Sequence, residues 1–152
     1  MAIDVIDASA DFLAGTKRIL LVPGLFFILQ IITVLIWVSA MMFVLSMNEI
    51  TVDETIPQGK NLEWTEKTQY MALYMLFGVL WICAWFEYCS TFIVMVSAAT
   101  YYYNSSPEED GSAEVGTGFQ WAFFYHAGSI AIGAFIIALI RFIRIVFVYL
   151  AK

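Results

Sequence analysis

The chain has 152 residues, of which 62% are hydrophobic and only 13% are charged, and its mean hydropathy is +0.82. A water-soluble fold of this size would lack polar surface, so the composition excludes a soluble domain and indicates an integral membrane protein with the lipid bilayer as its solvent. The net charge of −6 excludes nucleic acid as a partner, because no basic stripe can neutralise phosphates. This negative net charge is better suited to a cationic or zwitterionic solute.

The N-terminal arm, residues 1–18, has the pattern of an amphipathic helix. Its apolar residues recur on one helical face and its aspartates on another. The two sets are Ile3, Ile6, Ala10 and Leu13, and Asp4, Asp7 and Asp11. We predict a helix lying along the membrane interface. A cleaved signal peptide is the alternative, but the apolar run before the small-residue stretch Val38-Ser39-Ala40 is nearly twice as long as the hydrophobic region of a typical signal peptide.

Three long apolar runs follow the arm. Ile19 to Met47 carries no charge, Thr68 to Asn104 carries only Glu87, and Val115 to Ile140 carries none. A hydrocarbon core about 30 Å thick needs about 20 apolar helical residues, so each run can cross it. The predicted fold is all-α, a single transmembrane helical unit over residues 1–152 with about three spans behind an amphipathic interfacial helix. The predicted segments are the arm 1–18 and spans at about 19–47, 69–104 and 117–150.

Breakers and polar residues divide the runs. Pro23 lies one turn inside the first run, where it either bends the helix or marks its start. The loop 48–67 is rich in charge and contains Pro57 and Gly59, so we expect it to be solvated and partly irregular. Aromatic residues flank the polar turn 105–114 on both sides, as in an interfacial belt at one membrane surface. Runs two and three are therefore predicted to form an antiparallel helical hairpin.

Glu87 is the sharpest functional signal, because it stands alone as a charge near the middle of the second run. An ionised carboxylate at that depth is costly unless it is paired, lines a watery cavity or takes up a proton. The functional interpretation is a counter-ion for a cationic substrate or a proton relay. The alternatives are an internal pair with an arginine, or a position near the interface if the helix protrudes.

Arg141 is a candidate partner for this carboxylate. Counted from the shared turn, Glu87 and Arg141 lie about 17 and 23 residues along neighbouring helices. The gap is roughly 9 Å, and an arginine side chain that leans toward its own N-terminus can close much of it. The third run also carries a narrow face of small residues, which lets helices approach closely in lipid. The residues predicted to pack against protein along this face are Ala127, Ala131, Ala134, Ala138 and Arg141.

Trp81 and Trp85 lie four residues apart on one helical face, with Tyr88 at the next turn. Two indole rings beside the Glu87 carboxylate would suit a quaternary ammonium ion, because the ring quadrupole attracts a cation that donates no hydrogen bond. These four residues are the predicted substrate-binding set. The alternative for the aromatic stripe is helix packing or lipid contact.

Nothing in the chain indicates an enzyme, and no catalytic residue is predicted. No nucleotide-binding loop, activated nucleophile or pair of intramembrane carboxylates is present in the sequence. His126, the only histidine, is expected to be an interfacial or hydrogen-bonded structural residue, and Cys83 and Cys89 are expected to be free thiols. We therefore predict no metal site and no cofactor.

The third run contains a distinctive block, Tyr125-His126-Ala127-Gly128-Ser129-Ile130-Ala131-Ile132-Gly133, followed by Arg144 and Tyr149. A tryptophan-rich region from Leu80 to Trp85 leads into the stretch 97–102. On these residues, and on the arm before a proline-bearing span, the chain resembles the choline transporter-like family, solute carrier family 44. The likeness covers nearly the whole chain.

This resemblance implies a larger architecture, because members of the family are several times longer and have about ten spans. The chain is similar to their central to C-terminal portion. The likeness implies transport of choline or related ethanolamines, a plasma-membrane location, and Trp81 and Trp85 as lining residues, whereas Glu87 matches no family motif. It also implies that the loop 48–67 is extracellular and the turn 105–114 cytoplasmic, the reverse of what the basic residues indicate.

The leading functional hypothesis is a choline-transporter-like membrane protein whose helices contribute part of a path for choline or a related organic cation. Three helices alone cannot readily enclose such a site, so other transmembrane helices, from missing spans or other subunits, are predicted partners. The rival is a non-transporting membrane subunit or scaffold of a larger complex. A third hypothesis is an ion-conducting oligomer with a ring of Glu87.

Overall fold

The computed structural model of the protein describes residues 2–47, 50–52, 60–62, 65–106 and 111–151. Its elements are α1 (Ala2–Gly15), a 3-10 turn (Lys17–Leu20), α2 (Leu21–Ser46), β1 (Ile50–Val52), β2 (Lys60–Leu62), α3 (Glu66–Asn104), α4 (Val115–Gln120), a π-helical turn (Trp121–Tyr125) and α5 (Ala127–Leu150). The expected breakers Pro57 and Gly59 and the centre of the polar turn, 107–110, lie outside the described residues.

Three helical segments are long and apolar enough to cross a membrane, namely Lys17–Ser46, Glu66–Asn104 and Ala127–Leu150. The predicted all-α, multi-pass membrane fold is thereby confirmed. The 39 residues of α3 reach about 58 Å at about 1.5 Å per residue, which exceeds the hydrocarbon thickness. In the loop between the first two spans, β1 pairs antiparallel with β2, with Ile50 opposite Leu62.

α2 and α5 each pack along α3, which makes α3 the central helix of the unit. Side-chain donors cross the contact between α2 and α3 and reach backbone carbonyls. Gln30 Nε2 donates to the carbonyl oxygen of Cys83 at 3.2 Å. Trp37 Nε1 donates to the carbonyl oxygen of Met75 at 3.0 Å. Such bonds help to hold transmembrane helices together, because lipid supplies no hydrophobic drive between them.

The buried core joins the 3-10 turn, the start of α2, the second half of α3 and the π-helical turn. Its members are Ile19, Val22, Phe26, Cys89, Ile93 and Ala122. Phe26 is stacked on Phe119 of α4, with 6.2 Å between the ring centroids, and is tilted against Phe86 of α3 at the same separation. One aromatic side chain of α2 therefore contacts both neighbouring elements and fixes their mutual orientation.

α2 begins at Leu21, directly after the 3-10 turn, so Pro23 lies in its first turn. A proline is tolerated there, because its missing N–H would have no acceptor within the helix. Of the two alternatives for Pro23, the structure favours a position at the helix start over a bend in mid-helix.

The third apolar run is divided by a π-helical turn. The backbone N–H of His126 donates to the carbonyl oxygen of Trp121 at 2.9 Å, a bond that spans five residues instead of four. His126 itself leaves the helical region, with φ −119° and ψ 3°, and α5 resumes at Ala127. The predicted segment 117–150 is thus two helical pieces whose faces are rotated relative to each other by the extra residue.

The α3–α4 contact depends on a glycine. A Cβ atom added at Gly118 would lie 3.1 Å from the carbonyl oxygen of Ile93 and 3.2 Å from its Cγ2, whereas one added at Gly116 would meet nothing within 4 Å. Gly118 is buried and Gly116 is not. Only Gly118 lets the two backbones approach this closely.

Replacing Gly118 with valine is expected to lower the free energy of unfolding by about 1–3 kcal/mol, because the added atoms must push α4 away from α3. The matched control is Gly116→Val in the same helix, for which we expect a change of less than about 0.5 kcal/mol, since valine and glycine differ little in helix propensity. Thermal unfolding in detergent micelles measures both. Equal effects of the two variants would contradict the proposed close contact.

Candidate functional site

The charged residues Glu87 of α3 and Arg141 of α5 form an ion pair. Both terminal nitrogens of Arg141 donate to a single carboxylate oxygen, Oε2 of Glu87, at 3.1 Å and 3.2 Å. The side chain of Arg141 is 44% exposed and that of Glu87 is 49% exposed. The arginine alternative for Glu87 is therefore the arrangement found, and the pair lies on the outer surface of the three-helix unit.

The pair forms although Glu87 and Arg141 lie at different levels of the helical hairpin. A helical side chain leans toward the N-terminus of its own helix. Because α3 and α5 run antiparallel, the two side chains lean toward each other along the helix axes. Their combined length closes the gap that separates their backbones.

Exposed tyrosines place this pair in the membrane. Tyr74 and Tyr102 of α3 are 79% and 74% exposed, and they lie about 42 Å apart along the helix, which matches a bilayer with its headgroup regions. Tyrosine side chains favour those regions. Glu87 lies 13 residues after Tyr74 and 15 residues before Tyr102, so its carboxylate is near the bilayer midplane.

A half-exposed ion pair near the midplane cannot face hydrocarbon at low cost. Charged side chains at that depth are found in bundle interiors or water-filled cavities, because desolvation outweighs the attraction of an imperfectly bonded pair. The edge of the α3–α5 contact that carries Glu87 and Arg141 therefore faces water or further protein groups. The large exposed apolar side chains elsewhere on α2 and α5 are suited to lipid.

The predicted aromatic residues lie on a different side of α3. Trp81 Nε1 donates to the carbonyl oxygen of Ala131 at 3.1 Å, and its ring meets Phe135 edge to face at 5.5 Å. Trp85 packs against Phe86 at 5.4 Å. Among the described residues, the buried Nε1 of Trp85 has no hydrogen-bond partner.

Glu87 is not in contact with these rings. Trp85 and Glu87 are two residues apart, which separates their side chains by about 200° around the helix. No described contact joins the Glu87 carboxylate to Trp81 or Trp85, and Tyr88 is half-buried at nearly the same angle as Trp81. Of the four predicted substrate-binding residues, the aromatic ones share a region of α3 and the carboxylate lies apart from them.

The alanine face lies in the contact between α5 and α3. Ala134 and Ala138 are fully buried, Ala127 and Ala131 are half-buried, and α5 packs along α3. Small side chains allow the backbone carbonyl of Ala131 to come within reach of Trp81. The close approach of α5 also brings Arg141 within reach of Glu87.

Two features of these contacts were not predicted from the sequence, namely the interhelical donor Gln30 and the π-helical turn before His126. Gln30 is a lone amide in the first apolar run, and that isolation could have identified it as an interhelical donor. His126 is exposed, its ring centroid lies 5.2 Å from that of Phe92, and its backbone ends the π-helical turn. That turn has no compositional signature, because it depends on how α4 and α5 dock on α3.

The whole chain, residues 1–152, matches the model of a family described as plasma-membrane choline transporter. It is 25% identical over 121 residues to choline transporter-like protein 3 of Homo sapiens, which covers 78% of the chain and 18% of the relative. It is 26% identical over 143 residues to choline transporter-like protein 2 of Dictyostelium discoideum, which covers 90% and 23%. The chain thus spans about a fifth of the length of these relatives. No solved structure matches it significantly.

The ion pair predicts energetic coupling between its two members. Glu87→Gln or Arg141→Gln alone leaves an uncompensated charge, so each is expected to lower the free energy of unfolding by more than the double replacement does. The coupling energy should lie at about 0.5–3 kcal/mol. A double-mutant cycle from unfolding in detergent micelles gives this value, and additive effects of the two replacements would show that the pair contributes nothing.

Proposed function

Because the chain belongs to the plasma-membrane choline transporter family, we propose that it contributes helices to the transmembrane transport of choline or a related organic cation. The protein is an integral, multi-pass membrane protein, and we place it in the plasma membrane. A transport path usually lies between repeats of several helices, so further transmembrane segments complete the path around this unit.

The observation that carries the proposal is the Glu87 carboxylate. It is half-exposed near the bilayer midplane, and Arg141 occupies only its Oε2 atom. A quaternary ammonium group has no N–H to donate, so charge attraction to a carboxylate and contact with aromatic faces are the two means of recognising that group. Glu87 supplies the first from one side of α3.

Trp81, Trp85 and Tyr88 supply the second means of recognition on the neighbouring side of α3. The indole of Trp81 is 38% exposed and its N–H is already bonded to α5, which holds the ring in place. We propose that these aromatic residues line the same path at a separate position, so that a cation passes from one to the other.

A second candidate function is a non-transporting membrane subunit or scaffold. The favouring observation is that Glu87 is already paired with Arg141 inside this unit, as expected for a structural ion pair. In that case the exposed edge of the pair docks another polar transmembrane segment, and no solute reaches it.

Uptake of radiolabelled choline into cells that produce the protein together with its further transmembrane segments tests the proposal. Glu87→Gln is expected to reduce uptake at least tenfold, because the ion loses its counter-charge, whereas Glu66→Gln, the same replacement at the exposed start of α3, leaves it unchanged.

Trp85→Ala is expected to reduce uptake by about 2- to 30-fold, because the cation loses an aromatic face. Trp121→Ala serves as its control and should leave uptake unchanged. Excess unlabelled choline should compete, whereas 3,3-dimethylbutan-1-ol, its neutral carbon isostere, should not.

Undiminished uptake in both Glu87→Gln and Trp85→Ala would remove the proposed site. Absence of uptake by the parental protein, together with crosslinking of the Glu87 edge to another membrane protein, would support the subunit or scaffold instead.

A further inference from the structure

We propose that Arg141 is a positioning residue for the transported cation. It holds one oxygen of Glu87, leaves the other oxygen without a hydrogen bond and free to receive the cation, and weakens the binding enough for the cation to leave again. This inference rests on the proposed function and concerns the same carboxylate.

The hydrogen bonds of the pair leave half of the carboxylate free. An arginine and a carboxylate frequently form a fork in which two nitrogens bond two different oxygens. Here both nitrogens of Arg141 bond Oε2 of Glu87, and among the described residues no hydrogen bond reaches Oε1. The unbonded oxygen is therefore available without breaking the pair.

The face of α3 that follows Glu87 toward the end of the helix is exposed. Short or exposed side chains follow Glu87 at steps of four or three residues toward the end of α3, and they are Thr91, Met95, Ala99 and Tyr102. The hydroxyl of Thr91 donates to the backbone carbonyl of Glu87 at 2.9 Å, so it does not compete for the carboxylate. A cation that moves along this face from the end of α3 reaches the level of Glu87 before the level of Arg141, because Glu87 is fewer residues from the shared turn.

The charge of Arg141 opposes the cation that it helps to orient. A cation bound at the other carboxylate oxygen would lie roughly 6 Å from the guanidinium, as judged from the dimensions of a carboxylate and its hydrogen bonds. At an effective dielectric constant of about 20 the repulsion is enough to weaken binding by about tenfold to a hundredfold. A site in a transport path needs such a limit, because an ion that binds too tightly does not leave.

Arg141→Gln removes the opposing charge and tests this role. Uptake kinetics with radiolabelled choline are expected to show a KM lower by about tenfold to a hundredfold and a lower kcat, because release becomes slow. Arg144→Gln is the matched control, one turn further along α5 and exposed, and it should leave both constants within about twofold of the parental values. A KM that is unchanged or raised in Arg141→Gln would overturn the inference.

The double replacement Glu87→Gln with Arg141→Gln distinguishes the positioning role of Arg141 from a purely structural one. It can also be measured if the single variant Arg141→Gln does not fold or is degraded in the cell. The double variant carries no uncompensated charge, so it should be stable in the membrane. We expect it to take up no choline above background, because the receiving oxygen is gone. Parental uptake by the double variant would overturn the inference, whereas absence of uptake by the parental protein in the presence of its further transmembrane segments would refute the proposed function itself.

Discussion

A carboxylate and a guanidinium held together near the middle of a bilayer impose the strongest constraint on this protein. Hydrocarbon offers neither charge any compensation, so the pair of Glu87 and Arg141 must form, and the half of it that the unit leaves exposed must meet water or other polar groups. This requirement orients the whole unit. The edge of the α3–α5 contact faces away from lipid, whereas the apolar outer faces of α2 and α5 are suited to contact with lipid chains or with further transmembrane helices.

The packing of the other helices holds Glu87 and Arg141 within reach of each other. Ala134 and Ala138 are fully buried and let α5 lie close enough to α3 for Arg141 to reach across. The bond from Trp81 to the carbonyl oxygen of Ala131 fixes the same contact at another level. On the far side of α3, Gln30 ties α2 to the Cys83 carbonyl. Polar groups inside the membrane thus provide the specific contacts between these helices, because their apolar surfaces pack against lipid about as favourably as against one another.

The sequence was sufficient for the features that depend on solvent. Long uncharged runs predicted the three spans, because no other environment accommodates them, and the residue count from a shared turn indicated that Arg141 could reach Glu87. The directions in which side chains point around α3 were less well predicted from the sequence. The spacing of Trp81 and Trp85 placed them on one face, and the same helical spacing places Glu87 on another side, about 200° from Trp85, so grouping all four residues in one site neglected this angle. The π-helical turn before His126 depends on how α4 and α5 dock against α3, and no local sequence pattern predicts that docking.

The orientation of the charged edge can be measured directly with a nitroxide spin label in lipid bilayers. A label at Thr91, one turn beyond Glu87, is expected to collide more often with a water-soluble nickel chelate than with oxygen, which concentrates in hydrocarbon. A label at Ile82, an exposed apolar position of α3, should show the reverse. Oxygen collisions that exceed those of the chelate at Thr91, as at Ile82, would mean that the pair faces lipid and would contradict the orientation of the unit.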